Sequence, residues 1–148
     1  MQSVRLPVKT EHRVQIVDLT PMIQQAVLES GVDDGIVHVF VQHTSAAIAI
    51  QENEKNLLDD IQEFLHRFAD DDPARGVWKH NDMWRRPDVP PGEPQNAAAH
   101  LKALFLGNSR SAPISEGRLQ LGLWQSFLFV EMDGPRPREV LIMIEGAR

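Results

Sequence analysis

The chain has 148 residues, of which 42% are hydrophobic, and a chain of this size and content can bury the core of a single domain, which we assign to residues 1–148. Its 15 lysine and arginine residues against 21 aspartate and glutamate residues give a net charge of −6, which argues against a nucleic-acid-binding surface. Because the chain has no cysteine, disulfides and thiolate zinc sites are excluded, and any metal must be held by histidine, carboxylate or other oxygen ligands.

The N-terminal segment alternates apolar and polar residues in two stretches. The apolar residues from Val4 to Val8 share one parity, whereas Val14 and Ile16 share another, which predicts two strands separated by a turn near residues 10–12. The segment has scattered charges instead of the apolar centre of a signal peptide, and nowhere does the chain show the roughly 18 consecutive apolar residues of a membrane span. We therefore expect a cytoplasmic protein that does not enter a membrane.

Three segments have the spacing or the termini of helices. A threonine–proline start and a glycine end predict a helix over residues 20–30. Apolar residues recur at helical spacing among charged residues over residues 54–68, which predicts an amphipathic helix. The segment AAAHLKALF favours a third helix, which ends at Gly107.

Other segments are rich in β-branched and apolar residues and predict strands. The run IVHVFVQHTSAAIAI after Gly35 is too continuous for a strand with one solvated face, and it predicts one central strand with His43 at the end of a hydrophobic face. Residues 118–132 and 140–144 predict a hairpin with a stiff turn of sequence DGPRP. Because the elements lack regular βαβ alternation, we predict the α+β class: a largely antiparallel β-sheet or sandwich layered with two or three helices.

Residues 69–95 show no sustained periodicity, and they contain five prolines. Irregular chain of this length inside a compact domain is usually functional or mobile. Its WKHND segment supplies His80 and Asp82, which either close over a substrate or are solvated loop residues. Because no glycine-rich loop of the phosphate-binding or dinucleotide-binding type is present, we expect neither a nucleotide nor a flavin cofactor.

Two further groups of polar residues allow both a functional and a structural interpretation. His43, Thr44 and Ser45 suit metal binding, phosphate binding or proton transfer, or His43 is an ordinary core histidine with satisfied hydrogen bonds. Asn96 and His100 are four residues apart on one helix face and can address one ligand, or they form an ordinary polar surface pair.

The last third of the chain carries polar residues where apolar strands end. Glu131 and Asp133 could ligate a metal or act as acid and base, or they mark the point where a strand emerges into water. Arg136 and Arg138 could bind phosphate bidentately, or they are exposed turn charges.

Four motifs occur in a characteristic order and spacing: HTSAAIAIQEN, WKHND, QNAAAHLKALFLGNS and PISEGRLQLGLWQSFLFVEMDGPRPR. Across residues 35–140 they resemble the YjbQ family. The resemblance implies a compact α+β subunit that forms a homotrimer and has a secondary thiamine-phosphate synthase activity. This transferase reaction joins hydroxymethylpyrimidine diphosphate to thiazole phosphate with release of pyrophosphate. The native role could instead be metal-dependent chemistry or small-ligand binding, or the trimer could be a non-catalytic scaffold.

The resemblance also implies which residues form the site. A divalent metal, zinc or magnesium, would be held by His43, His80 and His100. The residues that act on the substrate would be His43, Ser45, Glu52, Asp82, Asn96, Gln125 and Glu131. A phosphorylated small-molecule substrate would be bound by Thr44, Ser109, Arg136 and Arg138. We therefore predict that the three histidines converge from a strand, a loop and a helix on one divalent metal or bound anion, with Asn96 and Glu131 nearby.

Overall fold

The computed structural model describes residues 1–70, 72–75 and 77–148. The strands are β1 (Gln2–Lys9), β2 (Gln15–Asp18), β3 (Asp34–Val41), β4 (Ala46–Gln51), β5 (Ser109–Ser115), β6 (Arg118–Leu119), β7 (Ser126–Glu131) and β8 (Pro137–Ala147). The α-helices are α1 (Thr20–Ser30), α2 (Lys55–Phe68) and α3 (Ala97–Leu106). Short 3-10 helices lie at Pro73–Arg75, Lys79–Asn81 and Met83–Arg85.

The strands form two antiparallel sheets. The first sheet has the order β1-β8-β3-β5-β6, and the second has the order β2-β7-β4. Every strand pair in both sheets is antiparallel. The predicted α+β class with a largely antiparallel architecture is therefore confirmed.

The second sheet is buried on both faces. Ile48 of β4 and Phe129 of β7 belong to the main core, which they share with α1 and the apolar face of the first sheet. Their neighbour Ala47 faces the other way and packs with Leu65 of α2 and Ala103 of α3. Because side chains alternate along a strand, this sheet is a central layer between the first sheet and helices α2 and α3.

The three predicted helices are confirmed. Helix α1 ends at Gly31, whose φ of 67° is the left-handed conformation that favours glycine. Helix α2 starts after Glu54, whose carboxylate accepts from the backbone N–H groups of Asn56 and Leu57, and these hydrogen bonds hold the pKa of Glu54 below its usual value. Among the helices of the described residues, none is both long and apolar enough to cross a membrane.

The single central strand predicted after Gly35 is wrong, because this run forms two strands. Strand β3 belongs to the first sheet and β4 to the second, and the chain crosses between the sheets at residues 42–45. Val39 before the crossing and Ala47 after it are both fully buried. The apolar run therefore continues through the crossing and conceals it in the sequence.

The predicted hairpin between residues 118–132 and 140–144 is also wrong. Strand β7 pairs with β2 and β4, whereas β8 pairs with β1 and β3, so the DGPRP turn leads from one sheet to the other. This turn contains a cis peptide bond at Gly134–Pro135. Short connections usually join neighbouring strands, which is why the sequence favoured a hairpin.

Strand β5 was not predicted, since its serines and Pro113 weaken the strand signal.

A buried ion pair joins β7 to β8 beside these two crossings. The Nε–H of Arg138 donates to both carboxylate oxygens of Glu131, at 2.8 and 3.2 Å. Glu131 also accepts from Oγ1 of Thr10 at 2.7 Å, and Nη2 of Arg138 donates to Oγ of Ser45 at 3.0 Å. Glu131 has no exposed surface, and Arg138 is 7% exposed.

Two opposing influences set the pKa of Glu131. Burial is the largest and would raise the pKa, but the hydrogen bonds from Arg138 and Thr10 and the charge of Arg138 together outweigh it. The pKa of Glu131 therefore lies below its usual value, and the carboxylate is ionised at neutral pH.

We predict that Glu131→Gln lowers the free energy of unfolding by about 3–5 kcal/mol, because the substitution leaves the buried charge of Arg138 without its counter-ion. Urea denaturation at pH 7 measures this loss. Glu139→Gln, on the same strand as Arg138, is the matched control. Its carboxylate pairs with Arg5, but the Glu139 side chain is 48% exposed, so a loss of about 0–1 kcal/mol is expected. Equal losses in the two variants would contradict a special contribution from the buried pair.

Candidate functional site

A cavity of about 840 Å³ opens between the β3–β4 crossing, helix α3 and the 3-10 helix at residues 79–81. Its lining residues are His43, Thr44, Ala46, Trp78, Lys79, His80, Ala97, His100, Leu101, Ala103, Leu104, Gly107 and Asn108. The three histidines predicted to form the site therefore border one cavity, and they come from a crossing segment, a loop and a helix.

Helix α3 presents His100 to the cavity. Residues 97, 100, 101 and 104 all line the cavity, and this spacing places them on one face of the helix. The Nδ1–H of His100 donates to the carbonyl oxygen of Thr44 at 2.8 Å. This hydrogen bond fixes the imidazole of His100 against the β3–β4 crossing.

His80 packs against His100 with its ring nearly perpendicular to that of His100. The ring centroids are 5.0 Å apart, and the planes meet at 81°. The next residue, Asn81, accepts through Oδ1 from the first N–H of α3, that of Ala97, at 3.0 Å. Trp78 donates from Nε1 to the carbonyl oxygen of Asp70 at 3.1 Å. These two contacts hold the loop so that His80 meets the helix.

Nε2 of His80 is buried, and no atom of the described residues forms a hydrogen bond with it. A buried polar atom without a partner costs free energy unless a bound molecule satisfies it. The hydrogen-bonding capacity of this nitrogen is therefore unmet among the described residues, beside the cavity that His80 borders.

His43 lies in the crossing segment and contacts β8. Its Nε2 accepts from the backbone N–H of Glu139 at 3.1 Å. Burial is the main cause that lowers the pKa of His43, and the charge of Arg138 lowers it further, whereas Glu131 raises it in part. Since the ordinary histidine pKa is about 6.5, His43 is a neutral imidazole at pH 7.

The lining combines a basic part with an apolar part. Lys79 and the three histidines are its ionisable groups, and no aspartate or glutamate occurs among the described lining residues, although the chain has a net charge of −6. Leu101 and several alanines form an apolar wall on α3 and β4. Leu104 is 81% exposed, so it lies at the rim of the opening.

Three residues predicted to act on the substrate or its phosphate lie outside the cavity in the buried ion-pair network: Ser45, Glu131 and Arg138. The guanidinium of Arg138 is not an exposed turn charge, because both its Nε and its Nη2 bond to Glu131 and its exposure is 7%. These side chains bond to one another and do not border the cavity.

Asn96 does not line the cavity that His100 borders. Asn96 is the residue before α3, and its Nδ2 donates to Oδ2 of Asp133 at 2.8 Å. Nη2 of Arg136 donates to the same oxygen at 2.7 Å. Asn96 lies at the helix terminus, where its side chain turns toward the DGPRP segment, and a shared role of Asn96 and His100 toward one ligand stays a prediction.

The remaining predicted residues also lie outside the lining: Glu52, Asp82, Ser109 and Gln125. Asp82 accepts from Nε of Arg85 at 2.9 Å, and Oε1 of Gln125 accepts from the backbone N–H of Gly122 at 2.8 Å. Both contacts stabilise local turns. The substrate-related roles of these four residues stay predictions.

The implied metal fits the described side chains only in part. Within residues 1–70, 72–75 and 77–148, no group of three or more histidine or carboxylate side chains is arranged to hold a metal ion. Nε2 of His43 is already occupied by the N–H of Glu139, which leaves His80 and His100 as the adjacent pair. The three imidazoles thus share a cavity without forming a coordination set.

The apolar wall was not predicted from the sequence. The signal for the wall was present, since Ala97, Leu101 and Leu104 follow one helix face together with His100. Leucines at such spacing predict a core contact equally well. Only the position of α3 beside the crossing distinguishes a cavity wall from a core face.

Comparisons with known proteins agree with the resemblance found in the motifs. A family model described as "UPF0047 protein YjbQ-like" matches residues 4–147. A UPF0047 protein of Archaeoglobus fulgidus is 41% identical over 139 residues, which cover 94% of this chain and 98% of that protein. A UPF0047 protein of Methanothermobacter thermautotrophicus is 38% identical over 141 residues, covering 95% and 90%.

Solved structures show the same similarity. A hypothetical protein of Aeropyrum pernix has a TM-score of 0.86 and 41% identity, and the match covers 99% of both chains. A YbjQ-like protein of unknown function from Sulfolobus solfataricus has a TM-score of 0.85 and 38% identity, covering 98% of this chain and 96% of that one. The family predicted from the motifs is therefore confirmed: the chain belongs to the YjbQ-like UPF0047 family.

Proposed function

We propose that the cavity binds a small phosphorylated compound and that the protein is a transferase of the thiamine-phosphate synthase type. The observation that carries this proposal is the lining, which is basic and free of carboxylates among its described residues in an otherwise acidic chain. Lysine and imidazole attract phosphate, whereas a carboxylate in the cavity would repel it. An anionic ligand is thus the class that the lining favours.

The apolar wall supports a ligand with a ring as well as a charge. The volume of the cavity, about 840 Å³, is within the range of roughly 300–1,000 Å³ that is usual for small-molecule sites. Leu101 and Trp78 offer apolar and aromatic surface next to the imidazoles. A heteroaromatic ring can pack on this surface while its phosphate group contacts Lys79 and the histidines.

In the proposed reaction hydroxymethylpyrimidine diphosphate and thiazole phosphate are joined. The carbon–oxygen bond to the diphosphate breaks, a carbon–nitrogen bond to the thiazole forms, and pyrophosphate leaves with the electrons of the broken bond. The protein must hold the two rings together and stabilise the charge of the leaving pyrophosphate. Lys79 and His80 are the lining groups suited to the second task.

The divalent metal implied by the resemblance is the basis of a second candidate, a metal-dependent enzyme with another substrate. The unpartnered Nε2 of His80 beside His100 favours it, because neutral imidazole is a good zinc ligand. A bound divalent ion would supply positive charge to a phosphorylated substrate. His80 and His100 are the residues that would hold it.

We predict that the wild-type protein binds inorganic pyrophosphate and that His100→Ala weakens this binding about tenfold or more. A hydrogen bond to a charged group contributes about 1.5–3 kcal/mol, which corresponds to roughly 10- to 150-fold in affinity. Isothermal titration calorimetry measures the change. His12→Ala is the control, since His12 is exposed and lies outside the cavity lining. The same affinity in both variants would contradict binding in the cavity.

We predict that the purified protein forms thiamine phosphate and pyrophosphate from the two precursors. Lys79→Ala should lower the rate about tenfold or more, because it removes a positive charge beside the leaving group. Lys55→Ala, on the surface of α2, should leave the rate unchanged. Chromatographic detection of thiamine phosphate measures the rate, and repeating it after chelation and after adding magnesium or zinc shows whether the reaction requires a metal. No product in any of these conditions would rule out the transferase proposal.

We also infer that the protein is a homotrimer. The outer face of the first sheet carries the partly exposed apolar side chains of Ile36, Phe40, Leu141 and Met143, and helices α2 and α3 pack instead on the second sheet. Partly exposed apolar surface on a sheet face is typical of a subunit interface. Because the family resemblance implies a trimer, light scattering should give about three times the chain mass of 16.7 kDa. A monomer at micromolar concentration would contradict the inference.

A further inference from the structure

Two imidazoles of the cavity are held by backbone groups of opposite hydrogen-bonding character. His43 contacts an N–H group, that of Glu139, at 3.1 Å. His100 contacts a carbonyl group, that of Thr44, at 2.8 Å. Since an N–H can only donate and a carbonyl oxygen can only accept, each contact determines which ring nitrogen carries the proton.

His43 lies where β3 separates from β8. The pairing of these strands ends at Val41 and Val140, and the next N–H of β8 toward its start is that of Glu139. The imidazole of His43 accepts from this N–H in place of a β3 carbonyl oxygen. Its Nε2 must therefore present a lone pair, so the proton of the neutral ring is on Nδ1. The nitrogen left for a ligand of the cavity is a hydrogen-bond donor.

The free ring nitrogen of His100 has the opposite hydrogen-bonding character to that of His43. Because its Nδ1 donates to the carbonyl of Thr44, the proton of the neutral ring is again on Nδ1, and Nε2 carries the lone pair. Here the nitrogen left for a ligand is an acceptor. A proton transferred from a ligand to Nε2 leaves the bond to Thr44 intact. A proton added to Nε2 of His43 would instead point at the N–H of Glu139 and break that bond.

We propose that His43 and His100 have fixed and opposite roles toward the ligand: His43 donates a hydrogen bond through Nδ1–H, and His100 accepts a proton or a hydrogen bond through Nε2. The ligand would then present an acceptor oxygen to one imidazole and an O–H or N–H group to the other. A hydrogen phosphate or hydrogen pyrophosphate group has both. These roles rest on the proposed function of the cavity, whereas the proton positions rest only on the two backbone contacts.

Nitrogen-15 NMR of the full-length protein tests the proton positions without any ligand. At about pH 8, above the ordinary histidine pKa of about 6.5, long-range proton–nitrogen spectra distinguish protonated from unprotonated ring nitrogens. The variants His43→Asn and His100→Asn assign the two sets of signals. We expect Nδ1–H for both rings. Finding Nε2–H in either ring, the tautomer that a free imidazole in water prefers, would overturn the assignment for that ring.

A pair of variants tests the donor role of His43 toward inorganic pyrophosphate as the probe. The amide N–H of asparagine can replace the Nδ1–H of histidine, so His43→Asn should bind the probe within about threefold of wild type. His43→Ala should bind it about tenfold or more weakly, since it removes a donor to a charged ligand. Equal weakening in the two variants would overturn the donor role. Absence of binding by the wild-type protein would overturn the ligand roles and the proposed function, and the NMR result would still decide the proton positions.

Discussion

The ion pair between Glu131 and Arg138 is the interaction on which the arrangement of the two sheets depends. Glu131 is the last residue of β7, in the second sheet, and Arg138 lies at the start of β8, in the first. A buried ion pair persists only if hydrogen bonds satisfy the remaining atoms of both charges. Thr10 and Ser45 supply those bonds, so three distant parts of the chain must meet for the charges to be buried together.

The same contacts set the geometry of the cavity without contributing to its lining. Arg138 is followed by Glu139, whose N–H orients His43. Ser45 is preceded by Thr44, whose carbonyl orients His100. Because the ion pair fixes the residue next to each of these backbone groups, it also determines which imidazole nitrogens face the cavity. This accounts for the division of the predicted site residues into a group that borders the cavity and a group that supports it.

The helices could be predicted from the sequence because their periodicity and end residues are local signals, as at Gly31 and Gly107. The two crossings could not be predicted, since an apolar residue reports burial but not the sheet in which it is buried. The resemblance identified the histidines of the cavity. The burial of Arg138 could not be foreseen, because Ser45, which bonds to Arg138, and Thr10, which bonds to Glu131, lie more than 90 positions from their partners.

A crystal structure of the protein with pyrophosphate bound would test most directly whether the cavity binds the anion. It would locate pyrophosphate relative to the residues that border the cavity and to the residues of the ion-pair network. We expect pyrophosphate in the cavity, in contact with Lys79, His80 and His100. Pyrophosphate bound instead in the groove of about 420 Å³ beside Arg136, on the far side of the ion-pair network, would contradict it.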